Sequence, residues 1–241
     1  MHHTGSGICH KTVSTYRELS QTLLKVKEKT ILDWLVDDIN PVIDEFIVIS
    51  NHRFAHFFEE WAEQKEMKIT VVDDGTSINE TRLGAVKDIQ FAIDTMNIND
   101  DCVVMAGDNV LDFSLQNFVK YAVEKKTSCV MCHEEHRLAA LQKTAVITMN
   151  KDGLIDSYEE KPKEPKGTHA VPPFYYYRKE DIRRIPEALD AGCGYDAPGS
   201  FAAWLSSKTP MHAYVMPGKR YDIGDMKSYT LVQEVYQGIN K

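Results

Sequence analysis

Short apolar runs alternate with amphipathic stretches as far as residue 143, and this alternation restricts the possible folds more than any other feature. "DEFIVIS" (44–50), "MKITVVDDG" (67–75), "DDCVVMAGD" (100–108) and "TSCVMCHE" (127–134) are short, apolar and bounded by polar or turn residues, as buried strands are. Between them "EKTILDWLVDDI" places Ile31, Trp34, Leu35 and Ile39 on one helical face. "RFAHFFEEWAEQ" does the same with Phe54, Phe57, Phe58 and Trp61, and "LGAVKDIQFAIDTM" and "SLQNFVKYAVEK" complete the set. Strands that alternate with helices imply an α/β fold whose mostly parallel sheet is sandwiched by helices.

After residue 143 the pattern changes. "TAVITMNKDGLIDSYEEKP" predicts a hairpin with its turn at Asn150–Gly153, "FYYYRKEDI" a strand running into a helix, and "PMHAYVMPGKRYDIGD" two short strands before a last helix, "MKSYTLVQEVYQGI". The expectation is one Rossmann-like domain over 1–241, with a core of about 28–142 and 209–241 and a β-rich insertion at about 143–208.

The balance of charge narrows the partners. Of the 241 residues 43% are hydrophobic and 27% charged, and the net charge of −8 has no basic cluster to set against it, so nucleic acid is not an expected partner. No apolar run approaches a membrane span and no signal peptide opens the chain, so the expected compartment is the cytoplasm. A homo-oligomer stays open.

Five cysteines do not make a disulfide framework in a chain of this size. "CVMCH" (129–133) has the spacing of a haem attachment or half a zinc site, but on a strand Cys129 and Cys132 face opposite sides and cannot hold one group. Buried strand cysteines are expected instead. "NET" at Asn79 is a glycosylation acceptor only in a secreted protein.

In open α/β sheets ligands sit beyond the carboxyl ends of the strands. Three segments lie there: "GDN" (107–109), "EEKP" (159–162) and "YDIGD" (221–225). Each alone reads as a turn, a solvated charge cluster or a helix start. Their joint order and spacing do not.

In that order the pieces resemble the sugar-1-phosphate nucleotidyltransferases, the family of glucose-1-phosphate thymidylyl- and uridylyltransferases. "LLKVKEKTILDWL" is similar to the family's "LLPVxxKPILxxxL", and "GDNVLDFSLQNFV" to its metal-bearing "GDN" with the helix that follows. "SYEEKPKEPKGTHAVPPFYYY" resembles "xxEEKPxxPxSxxAxxGxYxY", and "YVMPGKRYDIGDMKSY" resembles "WxDIGTPExY". The resemblance implies transfer of a nucleoside monophosphate from a triphosphate to a sugar-1-phosphate or a similar phosphorylated alcohol, with release of pyrophosphate. It implies Mg²⁺ on Asp108 and Asp222, Lys161 on the sugar phosphate and Glu160 on sugar hydroxyls. Gly107 lets a ligand approach the backbone, and Gly84 in "TRLGAV" admits the base where the family has a Gly-rich segment. The chemistry suits such residues, because joining two polyanions calls mainly for positioning and neutralisation of charge.

The start of the chain departs from that pattern. "GSGICHKT" (5–12) comes close to a Walker A loop, G-x-x-x-x-G-K-[ST], but His10 stands where the second glycine must turn the backbone onto phosphate. The family opens with an "IILAAG" strand and "GxGTRLxPxTxxxPKxLL". Anchoring on Leu23 and Leu24 puts Gln21 at the Lys position and Ser20 at the Pro, and Lys11 at the Arg position as a substrate-binding cation, with Gly5 and Gly7 too early. No first strand is legible. "MHHTGSG" reads either as an added histidine leader with a Gly-Ser scar or as a decayed loop. Loss of the loop's Arg and Lys supports a second reading, a catalytically impaired member that binds nucleotide or sugar phosphate. A third, a glycosyltransferase using a nucleotide sugar, has no need of the Lys in "EEKP".

Overall fold

Residues His10–Thr15 form β1, which is the strand that the sequence hides. The computed structural model describes residues 10–15 and 22–240. A hairpin of β2 (Lys25–Val26) and β3 (Lys29–Thr30) leads into α1 (Ile31–Ile39). Thr30 and Asp33 close a capping box there, and Ile31, Leu32, Leu35, Val36 and Ile39 are buried along one stripe. β4 (Glu45–Ser50), α2 (Ala55–Ala62), β5 (Ile69–Asp73), α3 (Ala85–Met96) and β6 (Asp101–Ala106) follow in strict alternation. Next come β7 (Asn109–Leu111), α4 (Gln116–Lys125), β8 (Ser128–Glu134) and the short α5 (Leu138–Leu141).

The second half opens on the expected hairpin, β9 (Ala145–Met149) and β10 (Ile155–Glu160), whose Gly153 N–H donates to Asn150 O at 3.0 Å. β11 (His169–Val171) and β12 (Phe174–Tyr177) are followed by α6 (Lys179–Ile182), α7 (Ile185–Asp190) and α8 (Pro198–Ser206). β13 (Met211–Val215), β14 (Arg220–Asp222) and α9 (Met226–Val235) end the order.

The main sheet runs β10-β9-β11-β8-β12-β6-β1-β4-β5, with β13 paired to β8. Its first-half portion is parallel, β6-β1-β4-β5, and β13 joins β8 in parallel as well. From β6 through β12 to β10 the sheet turns antiparallel, because the second half is built from hairpins and short returns rather than helical crossovers.

β1 corrects the expectation of a missing first strand. It lies between β4 and β6 in register Thr15↔Ile49 and Thr15↔Ala106, so no gap is left in the sheet centre. "HKTVST" has one strongly apolar residue and escapes a hydrophobic-run reading, yet Thr and Val are good strand formers. Gly5, Gly7, Ser20 and Gln21, on which the loop comparison turned, lie outside the described residues.

Two cores cover the sheet's faces. Cys132 packs in one with Ile89, Val104, Tyr177 and Phe201, and Cys129 in the other with Leu35, Phe58, Met105 and Phe118. The pair therefore faces opposite sides, as strand geometry requires, and burial pushes both thiols up to about 12. A third, smaller core joins Ile31 of α1, Val110 of β7, Ile223 and Val232 of α9. That core fastens the β7–β14 ribbon to the main body.

Candidate active site

Asp108 follows β6 by two residues, after Gly107, and β7 begins at once behind it. β14 pairs with β7 antiparallel in register Asp222↔Asn109 and Arg220↔Leu111. The ribbon so brings together two acidic segments more than a hundred positions apart in the sequence. The Ile223 N–H donates to Asp108 O at 2.8 Å, and the Tyr236 hydroxyl donates to Leu111 O at 2.8 Å to clamp the other end.

The side chains form one network. Asn109 is fully buried; its Nδ2 donates to Asp108 Oδ1 at 2.6 Å and to Ala106 O at 3.3 Å. Arg220 Nη1 donates to Asn109 Oδ1 at 2.5 Å and to Asp222 Oδ2 at 3.0 Å. Asp108 and Asp222 thus stand at the two ends of a relay centred on the Asn109 amide. Neither Asn109 nor Arg220 stood out in the sequence. The signal that could have found Arg220 is its place at the aromatic position of the family's "WxDIGT".

Glu160 ends β10 opposite Ala145, and α8 packs against that strand. Its Oε2 is buried without a hydrogen-bond partner, and burial raises its carboxyl above the usual range, with the neighbouring Lys161 opposing. Gly199, at the start of α8, has no room for a side chain: a Cβ there would run into Glu160 Oε2 and stand 3.4 Å from the Tyr175 hydroxyl. Tyr175 is itself held un-ionised by burial, an effect that the Glu160 charge adds to and that Tyr158 and Arg220 oppose. His133, on β8, is pushed down by burial and then by Arg220.

Lys161 is exposed and takes a left-handed backbone, φ 48°, with its N–H on Thr144 O at 3.1 Å. Lys27 turns the β2–β3 hairpin and Asn97 and Lys126 close helices, which are common uses of that conformation; Lys161 stands at a strand end.

Gly84 is the N-cap of α3 with φ 92°. What approaches it is Tyr195: a Cβ on Gly84 would stand 2.7 Å from Tyr195 Cδ2, and Tyr195 O accepts the Val86 N–H at 2.9 Å. Tyr195 is 47% exposed, and Lys87 Nζ lies 4.3 Å from its ring centroid. The close approach that the glycine allows is made by Tyr195, not left open to a ligand, and the sequence did not single Tyr195 out.

Lys11 does not stand in a loop. It lies within β1, paired to Glu45 and Cys102, four residues before the carboxyl end. At about 3.3 Å per residue it is roughly 13 Å short of the end where Asp108 lies, which corrects its reading as a loop cation. A cavity of about 300 Å³ between Tyr121, Asn150, Gly153 and Tyr214 lies at the β9–β10 turn, apart from this relay.

The sequence profile of the nucleotidyl transferase family matches residues 15–238. The chain belongs to the nucleotidyl transferase family. Glucose-1-phosphate adenylyltransferases are similar at low identity: that of Fervidobacterium nodosum is 23% identical over 129 residues, 53% of this chain and 31% of the relative. That of Clostridioides difficile is 23% identical over 159 residues, 64% of this chain and 41% of the relative. The chain spans about a third of the length of such relatives. Two solved structures share the fold. A Bacillus anthracis protein described as a glucose-1-phosphate thymidylyltransferase, complexed with a sucrose, has a TM-score of 0.76 at 18% identity, covering 96% of this chain and 97% of that one. A UDP-glucose pyrophosphorylase complexed with UDP-glucose has a TM-score of 0.77 at 16% identity, covering 94% and 97%. No helix among the described residues is long and apolar enough to cross a membrane.

Proposed function

We propose that the chain transfers a nucleoside monophosphate from a nucleoside triphosphate to a sugar-1-phosphate, or a similar phosphorylated alcohol, releasing pyrophosphate. The observation that carries this reading is the β7–β14 register, which puts Asp222 beside Asn109 and so within one relay of Asp108. Among the described residues no group of three or more His, Cys, Asp or Glu could cage a metal ion. Two carboxylates fit Mg²⁺ nonetheless, because that ion is commonly held by one or two carboxylates and completed by substrate phosphates and water. An ion on Asp108 and Asp222 supplies charge neutralisation where two phosphates meet.

The protein's own residues do the positioning. Asn109 fixes the Asp108 carboxylate by its Nδ2 donor and is kept from turning by Arg220 on its oxygen. Glu160, whose Oε2 is shut in against Gly199, accepts a hydroxyl of the acceptor's sugar through its other carboxylate oxygen. Lys161, in its left-handed conformation, directs its ammonium to the acceptor's phosphate. Gly107 keeps the strand end free of a side chain beside Asp108. Tyr195 fills the space over Gly84, so the glycine does not bare its backbone to the base as expected; the base is proposed to meet the exposed Tyr195 ring instead.

One observation favours the second reading, binding without turnover. Residues 16–22 alone separate β1 from Leu23, whereas the family's pattern places roughly twice as many before its "LL". Pyrophosphate release, measured with four triphosphates against a panel of phosphorylated sugars and alcohols, separates the two. Release with one matched pair supports transfer. Saturable binding of both ligands with no release in any combination supports the second reading.

A further inference from the structure

Arg220 takes the place that the family's "WxDIGT" gives to an aromatic residue, and it does what an aromatic cannot: it binds Asn109 and Asp222 through one nitrogen. Its side chain is 20% exposed, whereas that of Asp222 is 56% exposed, so the charge is set into the wall and the carboxylate faces outward. The guanidinium keeps its charge at every working pH and cannot leave by deprotonation. Whatever cation approaches Asp222 therefore meets one already in place.

We propose that Arg220 is a resident counter-cation of Asp222: it holds Asn109 and Asp222 together before a divalent ion arrives, and it yields Asp222 Oδ2 to that ion while keeping Asn109. The inference rests on the metal reading of Asp108 and Asp222. Two cations then compete for one carboxylate oxygen. Ion affinity in the absence of nucleotide is lowered by the strength of the Arg220–Asp222 pair, and Arg220 becomes a positioning residue that makes the ion depend on substrate phosphates for the rest of its hold.

The test is Mn²⁺ titration of the nucleotide-free full chain, followed by electron paramagnetic resonance. Arg220→Gln should bind Mn²⁺ about two- to fivefold tighter than wild type, the reach of a partly exposed ion pair. Arg220→Lys keeps the charge and should stay within about twofold of wild type. Equal affinity in all three chains, or weaker binding by Arg220→Gln, overturns the proposal. Asp222→Asn separates the two layers: if it binds Mn²⁺ as wild type does, the metal reading falls and takes the proposal with it. If it loses Mn²⁺ while Arg220→Gln gains nothing, only the role of Arg220 falls.

A second readout needs no folded glutamine variant. In the ¹⁵N-labelled wild type, the Arg220 guanidinium resonance, assigned by its loss in Arg220→Lys, should shift on Mg²⁺ addition with the midpoint of ion binding. A resonance unmoved at saturation overturns the exchange of partners.

Discussion

Asp222 lies directly across the β7–β14 ribbon from Asn109, and one Arg220 nitrogen ties the two side chains together. The contact is held in place from behind by Val110, Ile223 and Val232, which share a small core with Ile31. A strand pair of three residues would be marginal alone. Its geometry is fixed because Val110 of β7 and Ile223, just past β14, are core residues beside Asn109 and Asp222.

Asn109→Ala is expected to remove the centre of the relay. It deletes the donor to Asp108 and leaves Arg220 with one partner fewer. Residues that orient a metal ligand typically account for about 10–100-fold in affinity or activity. Mn²⁺ affinity measured with nucleotide present should fall within that span, while far-ultraviolet circular dichroism stays unchanged.

Glu160→Gln should make the chain more stable at pH 8. Burial raises the carboxyl's folded-state pKa, so the folded state disfavours the charged form. The sign follows: its contribution is present below the unfolded pKa and is lost as pH rises through the folded one. Thermal melts should show the Gln variant above wild type at pH 8, with the difference shrinking toward pH 4–5, near the ordinary carboxylate range of about 4.3. A variant less stable than wild type at pH 8 would mean that the charge is compensated.

Gly199→Ala should damage the same corner from the other side. Its Cβ would meet Glu160 Oε2 and the Tyr175 hydroxyl, and overpacking of this kind costs about 1–3 kcal/mol. Binding of sugar phosphate should weaken more than binding of triphosphate. Equal losses for both ligands would place Glu160 away from the acceptor.

Lys161→Ala tests the acceptor's phosphate. The exposed side chain carries little stability, so the melting temperature should stay near wild type, while sugar-phosphate affinity falls about tenfold for each 1.4 kcal/mol lost. Triphosphate affinity measured by calorimetry should be unchanged.

Most of the framework was legible because the buried strands are apolar and the helices carry clear stripes. "DEFIVIS" and "DDCVVMAGD" announce β4 and β6, and "TSCVMCHE" announces a strand whose two cysteines part to opposite faces. β1 was hidden because "HKTVST" sets one valine among five polar residues, and its place is set by β4 and β6 on either side rather than by its own hydrophobicity. β7 was hidden by length, since three residues after a turn carry no period. With β7 unseen, its pairing to β14 was unseen too, and so were Asn109 and Arg220. Asp108 and Asp222 were singled out by motif; what links them in one relay is tertiary.

The most direct measurement is a double-mutant cycle on Asp108 and Asp222, read as Mn²⁺ affinity with a bound nucleoside triphosphate, a readout that does not require turnover. If one ion sits between them, Asp108→Asn and Asp222→Asn each lose at least about tenfold and the double variant loses little more than the worse single one, because a shared ligand site fails as a unit. Losses that simply add, or a single variant that binds Mn²⁺ as wild type does, would contradict a shared ion.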